Sequence, residues 1–220
     1  MFIVIEGPDQ VGKTEQAGLL AEYLRGIDRQ VDSYSFPSRG TPTGRVVREW
    51  LSDRGAVPDG EVSRDLAVTF QCVQLVDKYA AVPAVLRSLR EDRDVVCCRW
   101  WQSAHAYGLD EGLPLDWVTD TCGLLPRADL NVLLDLSPVL AVSRGTLAPD
   151  GRSLSFKAMN RTFDRYDRDL GKQERVRRHY LALWGANKTS RMTSWPVVDG
   201  SGTREEVHSR IRSLLEVRRD

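Results

Sequence analysis

Phe2-Ile3-Val4-Ile5-Glu6-Gly7-Pro8-Asp9-Gln10-Val11-Gly12-Lys13-Thr14 is the stretch that decides the fold. Phe2 to Ile5 is an unbroken apolar run, the pattern of a strand buried on both faces of a sheet. Gly7 to Thr14 fits G-x-x-x-x-G-K-[ST], and a helical pattern from Thr14 to Arg25 follows at once. Strand, glycine-rich turn and helix in that order make a phosphate cradle. Gly7 and Gly12 let backbone N–H groups turn inward, and the start of the helix adds a positive dipole end. Lys13 is expected to reach the outer phosphates of a nucleoside triphosphate, and Thr14 to offer its hydroxyl to Mg²⁺. Gln10, Val11 and Glu15 complete the expected nucleotide-binding loop.

Outward from this stretch, short apolar runs alternate with helical patterns. Strands are expected at Val31–Phe36, Val95–Cys98, Leu130–Leu136 and Trp195–Val198. Helices are expected at Arg45–Leu51, Arg64–Arg90, Leu115–Leu124, Pro138–Arg144, Asp164–Leu183 and Arg204–Val217. Alternation of this kind predicts an α/β fold, a parallel sheet of five strands with helices on both faces. Ligands then sit at the carboxyl ends of the strands. Gly145–Arg161 breaks the rhythm: it is punctuated by Gly and Pro, basic, and poor in periodic apolar residues. It reads as a lid, at about 145–163, within one domain spanning 1–220.

Composition limits the function classes. The chain has 220 residues, with 31 basic and 31 acidic side chains, so it has no net charge to coat a nucleic acid or bind an anionic membrane. A small anionic substrate held by a local basic cluster remains compatible. No apolar run reaches the roughly 20 residues that span a bilayer, and the start lacks the basic region of a signal peptide. A cytoplasmic location is expected. The four cysteines form no C-x-x-C pair and read as free thiols.

Several patches after the phosphate loop, in order, resemble the thymidylate kinase family, P-loop nucleoside monophosphate kinases. The patches are Phe36-Pro37-Ser38-Arg39 with TPTG, Val76-Asp77-Lys78-Tyr79 ahead of Val82-Pro83, Cys98-Arg99-Trp100 with Ser103 and Ala106-Tyr107, Asp164-Arg165-Tyr166-Asp167, and Val198-Asp199-Gly200. The resemblance implies a three-layer P-loop NTPase fold and Mg²⁺-dependent transfer of a phosphoryl group from ATP to a deoxypyrimidine 5′-monophosphate, most often dTMP. It implies a homodimer. It assigns Arg39 and Arg99 to the acceptor phosphate, with Arg99 also on the migrating group. Asp9 goes to the sugar 3′-hydroxyl, Tyr107 beneath the sugar, Phe36 and Pro37 beside the base, and Ser103 to the same side. Arg144 and Asp199 fall on the adenine side. Gln10 stands where some members carry an arginine, so cations of the lid region, Arg152, Lys157, Arg161 and Arg165, become the candidates for the transferring group.

Two departures from the family pattern matter. Cys98 replaces the aspartate before arginine, and a thiol is a poor ligand for hard Mg²⁺. Glu6, Asp9 and Asp135 are the candidate carboxylates to compensate. The base-reading pair is Gln74 and Lys78 in place of phenylalanine and arginine, and lysine is a point donor where arginine is a fork. Two other readings stay open. One is a deoxynucleoside kinase, with Glu6 as general base. The other is a nucleotide-binding homologue that has lost catalysis with the aspartate.

Overall fold

The computed structural model describes residues 1–52, 64–145, 169–187 and 193–216. From residue 146 onward the expected lid lies outside these residues, and so do Arg152, Lys157, Arg161 and Arg165.

Five parallel strands form one sheet in the order β2-β3-β1-β4-β5: β1 Phe2–Glu6, β2 Val31–Ser35, β3 Asp94–Cys98, β4 Leu130–Asp135 and β5 Val197–Asp199. The three inner strands are mostly apolar and buried at nearly every position because both faces are covered, whereas β2 at the edge has one buried position, Val31, and alternates half-buried and exposed ones after it. The period of two divides β1 between two cores. Phe2 and Val4 join Val95, Cys97 and Trp100 on one face, and Ile3 and Ile5 join Val96 and Cys98 on the other.

The first face is covered by α3 (Arg64–Arg90), α4 (Trp101–Asp110) and α7 (Leu170–Asn187), through Phe70, Val85, Ala104, Val176, Tyr180 and Trp184. The second is covered by α1 (Lys13–Gly26) and α8 (Arg204–Glu216), through Leu20, Leu24, Val207 and Ile211. Each fully buried side chain of this size contributes roughly 1.5–3 kcal/mol. The remaining helices among the described residues are α2 (Pro42–Leu51), α5 (Leu115–Thr121) and α6 (Pro138–Gly145).

The differences from expectation have local causes. α2 begins three residues early because Thr41 caps it, its hydroxyl accepting the Gly44 N–H at 3.0 Å, with Pro42 in the first turn. α7 is Leu170–Asn187, with Asp169 accepting the Lys172 N–H at 2.8 Å as a cap, so it runs past the expected Leu183, while the expected stretch 164–168 lies outside the described residues. α5 ends at Thr121, short of Leu124. β5 is Val197–Asp199, and upstream of it Ser194 only bridges to Leu130. α4 is absent from the sequence reading. Its WWQSAHAYG run is buried at most positions, so it has no polar stripe to reveal a helical period.

Candidate active site

The phosphate loop leaves β1 and enters α1 through three left-handed positions. Gln10 has φ 63°, Gly12 φ 94° and Gly7 φ 147°. A Cβ at Gly7 would overlap the Leu134 carbonyl oxygen, so the loop can pass β4 only as glycine. Lys13 bends back to donate to the Pro8 carbonyl, and its Nζ lies 3.9 Å from Asp9 Oδ1. Burial and then the Arg99 charge lower the Lys13 ammonium to about 8, against the opposing pull of Asp9.

Beside the loop is a cleft of about 570 Å³. One wall is the loop itself, with Asp9, Gln10, Gly12, Lys13, Thr14 and Glu15. The other is Phe36, Pro37 and Arg39 after β2, Arg48 and Leu51 of α2, and Phe70 and Gln74 of α3. Arg99, Ser103 and Tyr107 form its floor. Four cations, Lys13, Arg39, Arg48 and Arg99, face two carboxylates, Asp9 and Glu15, among these lining residues. A chain of zero net charge thus concentrates positive potential where an anion would enter.

Asp9 organises the floor. It accepts from Arg99, from the Tyr107 hydroxyl at 2.6 Å and from Gln173 Nε2 at 2.9 Å, while its own N–H donates to Gln173 Oε1 at 2.9 Å. Burial pushes its carboxyl upward, but Arg99, Lys13 and these hydrogen bonds outweigh burial and hold it below the ordinary range. Burial and the facing Asp9 carboxylate raise the Tyr107 phenol, which stays a donor. Arg99 leaves the end of β3 with φ 66°, its N–H anchored on the Ile5 carbonyl at 3.0 Å, and its guanidinium lies 5.5 Å from the Tyr107 ring.

Behind the floor, Glu6 is 0% exposed and both its oxygens are taken. Oε1 accepts from the Trp100 and Ser103 N–H groups at 2.6 and 3.2 Å, and both oxygens accept from the Ser103 hydroxyl. The Tyr180 hydroxyl adds a 2.8 Å bond to Oε2. Asp135 is likewise engaged, with Arg177 Nε at 2.6 Å and a second Arg177 nitrogen at 2.9 Å. Cys98 Sγ lies 3.7 Å from Thr14 Oγ1, on the strand end beside the loop.

A smaller hollow of about 270 Å³ lies across the loop, sharing Gln10, Gly12 and Glu15 and adding Val11, Arg144, Gly200, Gly202, Thr203 and Arg204. Arg144 donates to the Gly200 and Gly202 carbonyls at 2.6 and 2.8 Å. Asp199 is not in the lining; it accepts from the Ser201 N–H and hydroxyl at 2.8 and 2.7 Å and so shapes the turn that is. A further hollow of about 390 Å³ between α4, α5 and α7, walled by Trp101, Leu183 and Trp195, includes no residue of the phosphate loop.

The structure gathers the expected site residues Asp9, Gln10, Gly12, Lys13, Thr14, Glu15, Phe36, Pro37, Arg39, Gln74, Arg99, Ser103 and Tyr107 around one cleft. Lys78 departs from that expectation. It is 2% exposed and lies behind Phe36, with Nζ 5.8 Å from that ring and 3.4 Å from the Gln74 carbonyl. Burial lowers its ammonium, against Glu6 and other acidic groups. Gln74, one turn earlier on α3, reaches the cleft instead. Sequence reading passed over Arg48, Gln173 and Tyr180. Gln173 and Tyr180 meet their partners across 164 and 174 residues, a separation no spacing rule reaches.

A family model described as thymidylate kinase matches residues 5–211. The chain belongs to the thymidylate kinase family. It is accordingly a nucleoside monophosphate kinase. A probable thymidylate kinase of Pyrococcus abyssi is 31% identical over 98% of this chain and 95% of its own length. The human thymidylate kinase is 27% identical over 98% of this chain and 89% of its own. Among solved structures, the thymidylate kinase of Candida albicans superposes with a TM-score of 0.77 at 20% identity, covering 99% of this chain and 92% of that one. That likeness speaks for the three-layer P-loop NTPase fold.

Proposed function

We propose that the chain transfers the terminal phosphoryl group of ATP to a deoxypyrimidine 5′-monophosphate, dTMP foremost. The observation that carries this reading is the pair of hollows that meet at one phosphate loop, sharing Gln10, Gly12 and Glu15, with Lys13 and Arg99 lining the larger one. ATP takes the smaller hollow, its adenine against the Gly200–Thr203 turn that Asp199 and Arg144 hold, its phosphates along Gly7–Glu15. The acceptor takes the larger cleft. Its phosphate meets Arg39, whose guanidinium has no partner among the described residues. Its sugar lies over Tyr107 and Asp9, and its base between Phe36, Pro37, Ser103 and Gln74.

Phosphoryl transfer needs positioning and charge neutralisation more than covalent help. Lys13 draws charge from the transferring group, and Arg99, held by Asp9, bridges it to the acceptor. Arg152, Arg161 and Arg165 are assigned to the same group by the family resemblance. Mg²⁺ would be held by the Thr14 hydroxyl, and when bound it neutralises charge on the nucleotide phosphates. Thr14 is exposed and suits that role, but Cys98 beside it is not a hard ligand, and Glu6, Asp9 and Asp135 are committed elsewhere. This chain thus offers one side-chain oxygen where the family pattern offers more. Magnesium retains several waters in such sites.

The bound state of Glu6 also speaks against nucleoside chemistry. A carboxylate saturated by backbone and hydroxyl donors is no base for a bare 5′-hydroxyl. A homodimer in the cytoplasm completes the proposal on family grounds; no helix among the described residues is long and apolar enough to cross a membrane.

The test is ADP formation with ATP and Mg²⁺ over dTMP, dUMP, 5-hydroxymethyl-dUMP, dCMP, dGMP, UMP, thymidine and deoxycytidine. Turnover of dTMP or another deoxypyrimidine monophosphate, without turnover of nucleosides, is expected. Turnover of nucleosides alone would overturn the proposal. Silence across the panel with ATP still bound, relieved by Cys98→Asp, would identify a scaffold that binds nucleotide without catalysis.

A further inference from the structure

Asp77, on α3, is 1% exposed and lines no part of the cleft, yet three donors from one short segment converge on it. The Ser38 N–H donates to Oδ2 at 2.7 Å, and the Thr41 and Thr43 hydroxyls donate to Oδ1 at 2.6 and 2.8 Å. Ser38 and Thr41 belong to the turn between β2 and α2 that bears Arg39, and Thr43 to the first turn of α2. Charge-assisted bonds of this length are the strong kind, and they offset the cost of burying a carboxylate. The clamp continues past Asp77. Thr41, while donating to Asp77, accepts the Gly44 N–H at 3.0 Å and so caps α2. Arg48 of α2 donates to the Ser38 carbonyl. A Cβ at Gly44 would overlap that same carbonyl, so the turn seats directly on the first turn of the helix. What the clamp leaves unengaged among the described residues is the Arg39 side chain.

We propose that Asp77 is a positioning residue of the acceptor site, holding the Ser38–Thr43 turn so that Arg39 stands at a fixed distance from the base wall. The inference rests on the proposed role of Arg39 at the acceptor phosphate. The fixed distance follows from the helix. Gln74, which faces the cleft, lies three residues before Asp77, one turn away on the same face of α3. A single rigid helix thus carries the base wall and, through Asp77, the arm that grips the phosphate. The span between them selects acceptors that fill it: a pyrimidine nucleotide carrying one phosphate.

Asp77→Asn keeps the shape and one accepting oxygen but turns an amide N–H against a donor. Two measurements decide. The first, amide hydrogen exchange, needs no substrate. Exchange over Ser38–Thr43 is expected to accelerate at least tenfold in the variant, with β1, β3 and β4 unchanged. The second is steady-state kinetics with whichever deoxynucleotide the wild-type enzyme turns over, so a failure of dTMP as substrate revises the functional reading without touching this comparison. The acceptor KM is expected to rise about tenfold, with the ATP KM within twofold. Combined with Arg39→Ala, the second substitution should add little, because both remove one grip. Unchanged exchange in the turn overturns the proposal, as do KM values that rise together or effects of Asp77→Asn and Arg39→Ala that multiply. Thr43→Val removes a single donor and leaves the carboxylate, so it gives the same comparison at about threefold amplitude if Asp77→Asn compromises folding.

Discussion

At the amino ends of β2 and β3, Asp32 and Asp94 are closed by arginines. Arg93 grips Asp32 through bonds of 2.6 and 2.8 Å, and Arg29 grips Asp94 at 2.6 and 2.8 Å, with the N-terminal amine adding a bond at 3.0 Å. At the carboxyl ends, Asp9 and Arg99 form a pair of the same kind, but Lys13, Tyr107 and Gln173 crowd around it and the whole group faces a cleft with surplus cations. Arg29 and Arg93 are 42% and 30% exposed, against 17% for Arg99. A pair that water screens ties loop to sheet and stops there. A pair under cover in an electropositive cleft can act on an incoming charge.

The comparison is most easily broken at its cationic partners. Arg99→Met is expected to lower kcat/KM by about a thousandfold or more in the coupled ADP assay. Arg29→Met should leave kcat/KM within twofold. Equal effects would erase the distinction between the two ends. Asp94→Asn reverses the emphasis. It is expected to cost about 2–3 kcal/mol in urea unfolding, because Asp94 is wholly buried, with kcat/KM of the folded fraction unchanged.

Titration sharpens the contrast. Lys13 is lowered to about 8 in the free protein, so it is charged below that pH and must take up a proton to bind triphosphate above it. ATP affinity should therefore fall by roughly tenfold between pH 7 and 9, with proton uptake visible by calorimetry in buffers of different ionisation enthalpy. Flat affinity over that range would mean either that Lys13 keeps its proton to pH 9 or that it does not meet the phosphates, and Lys13→Met, which should weaken ATP binding at pH 7 only in the first case, separates the two. The smallest effect belongs to Asp32. The Arg93 and Ser88 hydrogen bonds lower its carboxyl to about 2, so its contribution is present above the ordinary value of 3.8 and is lost as pH falls through 2. Its pair is partly exposed, and Asp32→Asn is expected to cost under about 1 kcal/mol at neutral pH, with acid unfolding shifted to slightly higher pH.

How much of this was legible in the sequence follows from distance along the chain. The phosphate loop is local: eight residues, their glycines and the helix they open could be read directly. The sheet was legible because buried parallel strands are continuous apolar runs. Phe36, Arg39, Arg99 and Tyr107 were placed by patches whose order survives, and the structure brings them to one cleft. Lys78 shows the limit. Its register on α3 matched a family position one turn after Gln74, yet its side chain is 2% exposed and lies behind the Phe36 ring, and nothing in the local pattern marks that burial. Gln173 and Tyr180 were invisible because nothing near them in sequence announces Asp9 or Glu6.

That last feature has a consequence for how the protein is made. Everything the triphosphate cradle needs around Gly7–Thr14 emerges early from the ribosome, and β1 gains its neighbour β3 once residue 98 is out. The floor of the acceptor cleft waits for α7, because Gln173 braces Asp9 and Tyr180 completes the hold on Glu6. A nascent chain stalled before residue 173 would own the phosphate loop but neither the Gly200–Thr203 turn for the adenine nor a finished place for the second substrate, so synthesis itself delays pairing the two until the chain is nearly whole.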